Sequence, residues 1–258
     1  MARSARFLFA ATVGLLALAA PGWAASPIGK VVAVVGSPKS SGPDGSRSLG
    51  SGSPVYENDK LETGLGNIQI IFVDDTKLVV GPNSTLVIDR FLLRGGKSAQ
   101  KFSVDALRGT FRFISGHMAK SAYGIQTGSA VIGIRGTAFD FTSGRETLVA
   151  VVDGRVRLCA SGQCEIIPDN CGVGRARSNR VDQLGGRAKG RALRSLPYMV
   201  DQGTLTRPFR LNTQSCRSIL TLYQNFFDGG QNSGGGGGNR PGPGPQRGGG
   251  DGGEGNPG

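Results

Sequence analysis

The sequence predicts an all-β body, compact or solenoid-like, followed by a short C-terminal helix and a glycine-rich tail. Three observations carry this. Short apolar stretches recur from Ile28 to Leu158, several with alternating polarity. Turn-forming clusters of Gly, Pro, Asn and Asp separate them at intervals of roughly 8–12 residues. Nothing between them has a helical apolar period.

Taken in order, Ile28 to Val35 reads as a strand closed by Gly36, and residues 37–53, rich in Gly, Ser and Pro, read as a loop. Asn67 to Val73 alternates, with Ile68, Ile70 and Phe72 on one face. Asp74-Asp75-Thr76 is a turn whose carboxylates are expected to splay into water. Leu78 to Val80, a Gly81–Ser84 turn and a strand from Leu86 follow. Phe111 alternates with Phe113, and Phe139 with Phe141. Leu148 to Val152 and Val156 to Leu158 form a hairpin about Asp153-Gly154. Cys216, Ile219, Leu220, Tyr223 and Phe227 recur at helical spacing within Gln214–Phe227. Residues 229–258 hold 16 Gly and 4 Pro, too little apolar area to offset the entropy of ordering, so a disordered tail is expected.

Composition narrows function. The single histidine, His117, excludes any site needing two. The formal charge is +12, but residues 172–217 hold ten basic against two acidic residues, so most of it sits in one segment. Arg3 and Arg6, the apolar run Phe7 to Ala20, and Gly22 and Ala24 at the −3 and −1 positions form a secretory signal over residues 1–24. No cysteine precedes Cys159, so no lipoprotein box is present.

Three blocks resemble a known family. They are Gly52-Ser-Pro-Val-Tyr-Glu-Asn-Asp-Lys-Leu-Glu-Thr-Gly64 with its continuation to Ser84; Leu107-Arg-Gly-Thr-Phe-Arg-Phe-Ile-Ser-Gly116; and Ile125 to Asp140 with Val149 to Leu158. In this order they resemble the FecR-domain family of bacterial cell-envelope proteins. The resemblance implies a FecR-type β domain in the envelope of a Gram-negative bacterium. Asn58 and Asp75 stand where the family often has glycine. Family members that regulate sigma factors carry a cytoplasmic segment before a membrane span. Only six residues precede the apolar run here, so an exported binding protein is expected ahead of a signalling one.

The organisation expected is a signal over 1–24, a FecR-like domain over 25–171, a basic segment with a short helix over 172–228 and the tail. Four cysteines allow three pairings in an oxidising compartment. The four-residue loop between Cys159 and Cys164 suits a hairpin disulfide, which leaves Cys171 with Cys216 to tie the helix to the body. Their spacing lacks any CxxC, so no metal site is expected. Arg135, Gly136 and Thr137 form a distinctive stretch, read as a structural turn with binding as the alternative. Arg187, Lys189, Arg191 and Arg194 are candidates for contact with an anionic surface. With Tyr198 and Phe209 as the only aromatics of the basic segment, nucleic acid is not expected.

The sequence therefore predicts a non-enzymatic exported protein, periplasmic or secreted, without cofactor or catalytic residues, binding a protein or an anionic envelope polymer. The alternatives are a periplasmic sensor or regulator in sigma-factor or iron-responsive signalling, and an envelope polysaccharide hydrolase.

Overall fold

A computed structural model describes residues 26–228 apart from 44, 95–97 and 118–122. The signal (1–24) and the tail (229–258) lie outside the described residues. The chain forms strands β1 (Gly29–Val35), β2 (Lys39–Gly42), β3 (Gly45–Ser48), β4 (Pro54–Val55), β5 (Lys60–Glu62), β6 (Asn67–Phe72), β7 (Lys77–Val80) and β8 (Thr85–Arg94). Then come β9 (Ser98–Ile114), β10 (Tyr123–Thr127), β11 (Val131–Ser143), β12 (Thr147–Ala160), β13 (Gln163–Ile167), β14 (Gly172–Arg177) and β15 (Arg180–Gln183). Helices α1 (Gly186–Arg194), α2 (Pro197–Val200) and α3 (Gln214–Asp228) close it.

The long strands β9, β11 and β12 each serve two layers. Gly109–Ile114 of β9 pairs with β7 and β11, whereas its earlier residues pair with β8 and β10. β11 pairs with β10 through Val131–Gly133 and with β9 through Ala138–Ser143. β12 pairs with β14 through its first half and with β13 through its second. The inner faces of both layers meet in one apolar core. Phe72, Phe113 and Phe139 come from the first layer, and Phe102, Ile125 and Ile132 from the second. Edge-to-face contact of Phe72 with Phe102, centroids 5.0 Å apart, joins the layers.

Each long strand changes layer at a glycine with positive φ: Gly109, Gly136 and Gly154. Asp153-Gly154 is thus not the expected hairpin turn. It is a bend inside the single strand β12, which continues to Ala160 and turns at Ser161-Gly162. A Cβ on Gly154 would lie 2.3 Å from the carbonyl oxygen of Gly136, on the paired strand. Gly154→Ala should therefore cost about 1–3 kcal/mol. Gly162→Ala, also at positive φ but with open space around it, should cost less. Urea unfolding of the two variants checks the order.

Other departures have physical reasons. Residues 37–53 are not all loop: β2 and β3 form a hairpin whose β2 pairs with β5. Its strands hold only Ser, Gly, Lys39 and Arg47, so no apolar alternation announces it. The sheet also continues past Cys171 through β14 and β15. Asp74 is buried rather than splayed into water. Its carboxylate accepts from Thr76 N at 3.1 Å, Thr76 Oγ1 at 2.7 Å and Tyr123 OH at 2.9 Å. Asn58 (φ 67°) and Asp75 (φ 65°) adopt the left-handed conformation that glycine would supply, which Asn and Asp tolerate best. Both expected disulfides are formed, Cys159–Cys164 and Cys171–Cys216.

Candidate functional site

The outer face of the first layer is where the molecule concentrates its polar architecture. Strand register lines up Val173, Ala150, Asp140, Arg112, Val79 and Gln69 across six strands. Alternation puts them all on the face opposite the core. Residues 184–217, here called the strap, cover this row. Leu193, Leu196, Met199, Leu205 and Phe209 of the strap are buried against it. Over β12 and β14 the contact is apolar and includes the Cys171–Cys216 disulfide. Over β7 it is made by Val79, Tyr198, Leu205 and Phe209.

Between these patches lies a buried charge pair. Arg112 Nε donates to Asp140 Oδ1 at 2.6 Å and Nη2 to Oδ2 at 2.8 Å, with both side chains at 0% exposure. Nη2 also donates to Tyr198 O at 3.0 Å, and Nη1 to Phe209 O at 3.1 Å and to Gln202 Oε1. All five guanidinium N–H groups thus have acceptors, three of them on the strap. The Tyr198 ring packs over the guanidinium, 5.5 Å from centroid to Cζ. Burial pushes the Asp140 carboxyl up, against the opposing pull of Arg112, and burial also raises the Tyr198 hydroxyl. Gln69 adds a second anchor. Its Nε2 donates to Thr204 O at 3.0 Å and its Oε1 accepts from Thr206 N at 2.8 Å.

The arrangement is a clamp: a saturated cation holds three points of an overlying segment. It leaves no guanidinium donor free, and both side chains are fully buried. Asp59 accepts both Arg47 Nη2 at 2.6 Å and the Tyr56 N–H at 2.8 Å, closing the β4–β5 turn. A shallow depression of about 260 Å³ at the strand tips is lined by Gln126, Ser129, Ser161 and Ser178. The Thr127, Ser129 and Thr147 hydroxyls beside it bond one another at 2.6 and 2.9 Å. No group of three His, Cys, Asp or Glu among the described residues could hold a metal. Nor is any described helix long and apolar enough to cross a membrane.

The residues singled out from sequence fall in three places. Arg135, Gly136 and Thr137 lie at the β11 bend, where Thr137 N donates to Ser115 Oγ at 3.0 Å. His117 sits exposed at a turn, its Nδ1 3.0 Å from Asp75 Oδ2. Arg187, Arg191 and Arg194 share an exposed stripe of α1. Lys189 does not share it. It is partly buried, and burial lowers its pKa. The helix carrying them packs closely on α3, for a Cβ on Gly190 would lie 2.7 Å from the Tyr223 ring. Sequence reasoning missed Arg112 and Asp140, although Phe-Arg-Phe (111–113) and Phe-Asp-Phe (139–141) are one pattern with opposite charges.

No curated protein matches this chain. Two crystal structures of a proposed anti-sigma factor from Parabacteroides distasonis ATCC 8503 are similar to it, each at 12% identity. One has a TM-score of 0.42 over 51% of this chain and 61% of that one, the other 0.40 over 53% and 64%. The chain thus spans less than two thirds of either structure's length. Residues 59–157, which include Arg112, Asp140 and the three bends but not the strap, match the FecR protein family, so this chain carries a FecR domain.

Proposed function

We propose that this chain is a non-enzymatic, exported regulator of the FecR type that acts by holding another protein in sigma-factor signalling. The FecR match over residues 59–157 carries this reading. It favours the signalling role, second in the sequence-based order, over the general protein- or envelope-polymer-binding module placed first. The non-enzymatic part is supported by the commitment of the buried charges to the fold: Asp140 and Arg112 clamp the strap, and Asp59 and Asp74 close turns. Two disulfides fit an oxidising compartment such as the periplasm.

The full chain, expressed with its own N-terminus in a Gram-negative host, is fractionated and cross-linked in place. The expected result is periplasmic protein cross-linked to one defined protein of a signalling system. Recovery of the chain in the cytoplasm alone, or turnover of an envelope polymer by the purified protein, would overturn the proposal.

A further inference from the structure

The strap has two unlike sides. Its inner side is apolar and covers the sheet. Its outer side exposes Arg191, Arg194, Arg207, Arg210 and Arg217. Asp201 is the only acidic residue between positions 184 and 217. The body treats many of its arginines differently: Arg47, Arg112, Arg175, Arg177 and Arg180 all pair with carboxylates. None of these five strap arginines forms an ion pair with a carboxylate among the described residues. Two are instead held by backbone carbonyls. Arg217 Nη2 donates to Val200 O at 2.8 Å, and Arg210 Nε to Leu205 O at 2.7 Å. These bonds fix where the guanidinium sits and leave its charge uncompensated.

We propose that the outer surface of the strap is a docking surface for an acidic protein segment, recognised by guanidinium–carboxylate pairing at Arg191, Arg194, Arg207, Arg210 and Arg217. This deepens, and rests on, the protein-holding reading above. Charge complementarity is the first ground: a band of unpaired cations favours an anionic occupant. Residue type is the second. The outward cations are all arginine, whose planar fork matches a carboxylate with two parallel hydrogen bonds. The strap's one lysine, Lys189, is turned partly inward. The third ground separates protein from membrane. Stable interfacial binding to lipid combines exposed apolar side chains with cations, and cations alone give only a weaker attraction that salt screens. In the strap Val200 is the sole large hydrophobic exposed, because the others face the sheet.

The test uses the full chain and a glutamate-rich peptide as probe. Arg191→Ala, Arg194→Ala, Arg207→Ala and Arg217→Ala combined should weaken peptide binding by about tenfold or more at low salt. Arg155→Ala with Arg157→Ala, exposed on the other layer, should change it by less than about twofold. Replacing the same four arginines by lysine keeps the charge and loses the fork, so most of the affinity should still be lost. If the fourfold alanine variant fails to fold, Arg191→Glu on the exposed stripe of α1 carries the test, with the same loss expected.

Unchanged binding in the alanine variant, equal loss in the control, or full binding by the lysine variant would overturn the proposal. So would retention on phosphatidylglycerol vesicles with no binding of the peptide. A cross-linked partner captured equally by native chain and alanine variant sinks the docking surface and leaves the protein-holding reading standing. Arginine-dependent peptide binding with no protein ever cross-linked does the reverse.

Discussion

Asp140→Ala is expected to destabilise the protein by about 3–5 kcal/mol, because it strands the Arg112 charge where water cannot reach it. Removing the carboxylate also leaves two guanidinium N–H groups without acceptors. The effect should reach the strap. Arg112 holds Tyr198, Gln202 and Phe209, so its displacement loosens contacts far along the chain from position 140. Urea unfolding gives the magnitude, and limited trypsin digestion at Arg191 and Arg194 reports the strap. A paired replacement, Arg112→Met with Asp140→Leu, tests the logic further. Apolar replacement of a buried ion pair is often neutral in isolation. Here it would leave the Tyr198 and Phe209 carbonyls without a donor, at about 1–3 kcal/mol each. The double variant should therefore remain destabilised while digesting faster at the strap. Unaltered stability of Asp140→Ala would mean the clamp contributes nothing.

Much of the body was legible because its signals are local. The Phe111/Phe113 and Phe139/Phe141 alternations mark inner faces, and Cys159 and Cys164 are cross-strand neighbours as their loop length implies. Misreadings came where a local signal has two structural outcomes. Asp-Gly at 153–154 favours positive φ, which serves a hairpin turn or a bend within a strand; only pairing of β11 along both halves of β12 decides for the bend. The strap was least legible. Its apolar residues, Leu193, Leu196, Met199, Leu205 and Phe209, follow no single period because short helices and extended links alternate, and its arginines dominate the composition. The clamp joins residues 28 positions apart on the sheet with others 86 to 97 positions beyond Arg112, a separation no spacing rule spans. Each residue's role follows from register, which is set by the whole sheet.

Cys171→Ser with Cys216→Ser should cost about 4 kcal/mol, and Cys159→Ser with Cys164→Ser about 2 kcal/mol, if loop-closure entropy in the unfolded chain dominates. The cysteines of the first pair are 45 positions apart and those of the second 5. Structure widens the gap. Cys171 and Cys216, the latter on α3, are buried in the apolar cluster that α1 and α3 share with the sheet, and serine there would bury hydroxyls among Leu193, Leu196 and Leu220. Cys164 is exposed at the edge of the second layer, so serine in that hairpin meets water. The buried disulfide also closes the strap over the Arg112–Asp140 pair from its C-terminal end, as Gln69 and Phe209 do from the middle. Its loss should raise tryptic cleavage within 187–194 well before global unfolding, whereas loss of the hairpin disulfide should leave that cleavage unchanged. Thermal melts of the two variants, read beside the digestion, distinguish a strap that is held by its disulfide from one held by packing alone. Equal melting losses with equal cleavage would refute the assignment of Cys171–Cys216 as the strap's closure.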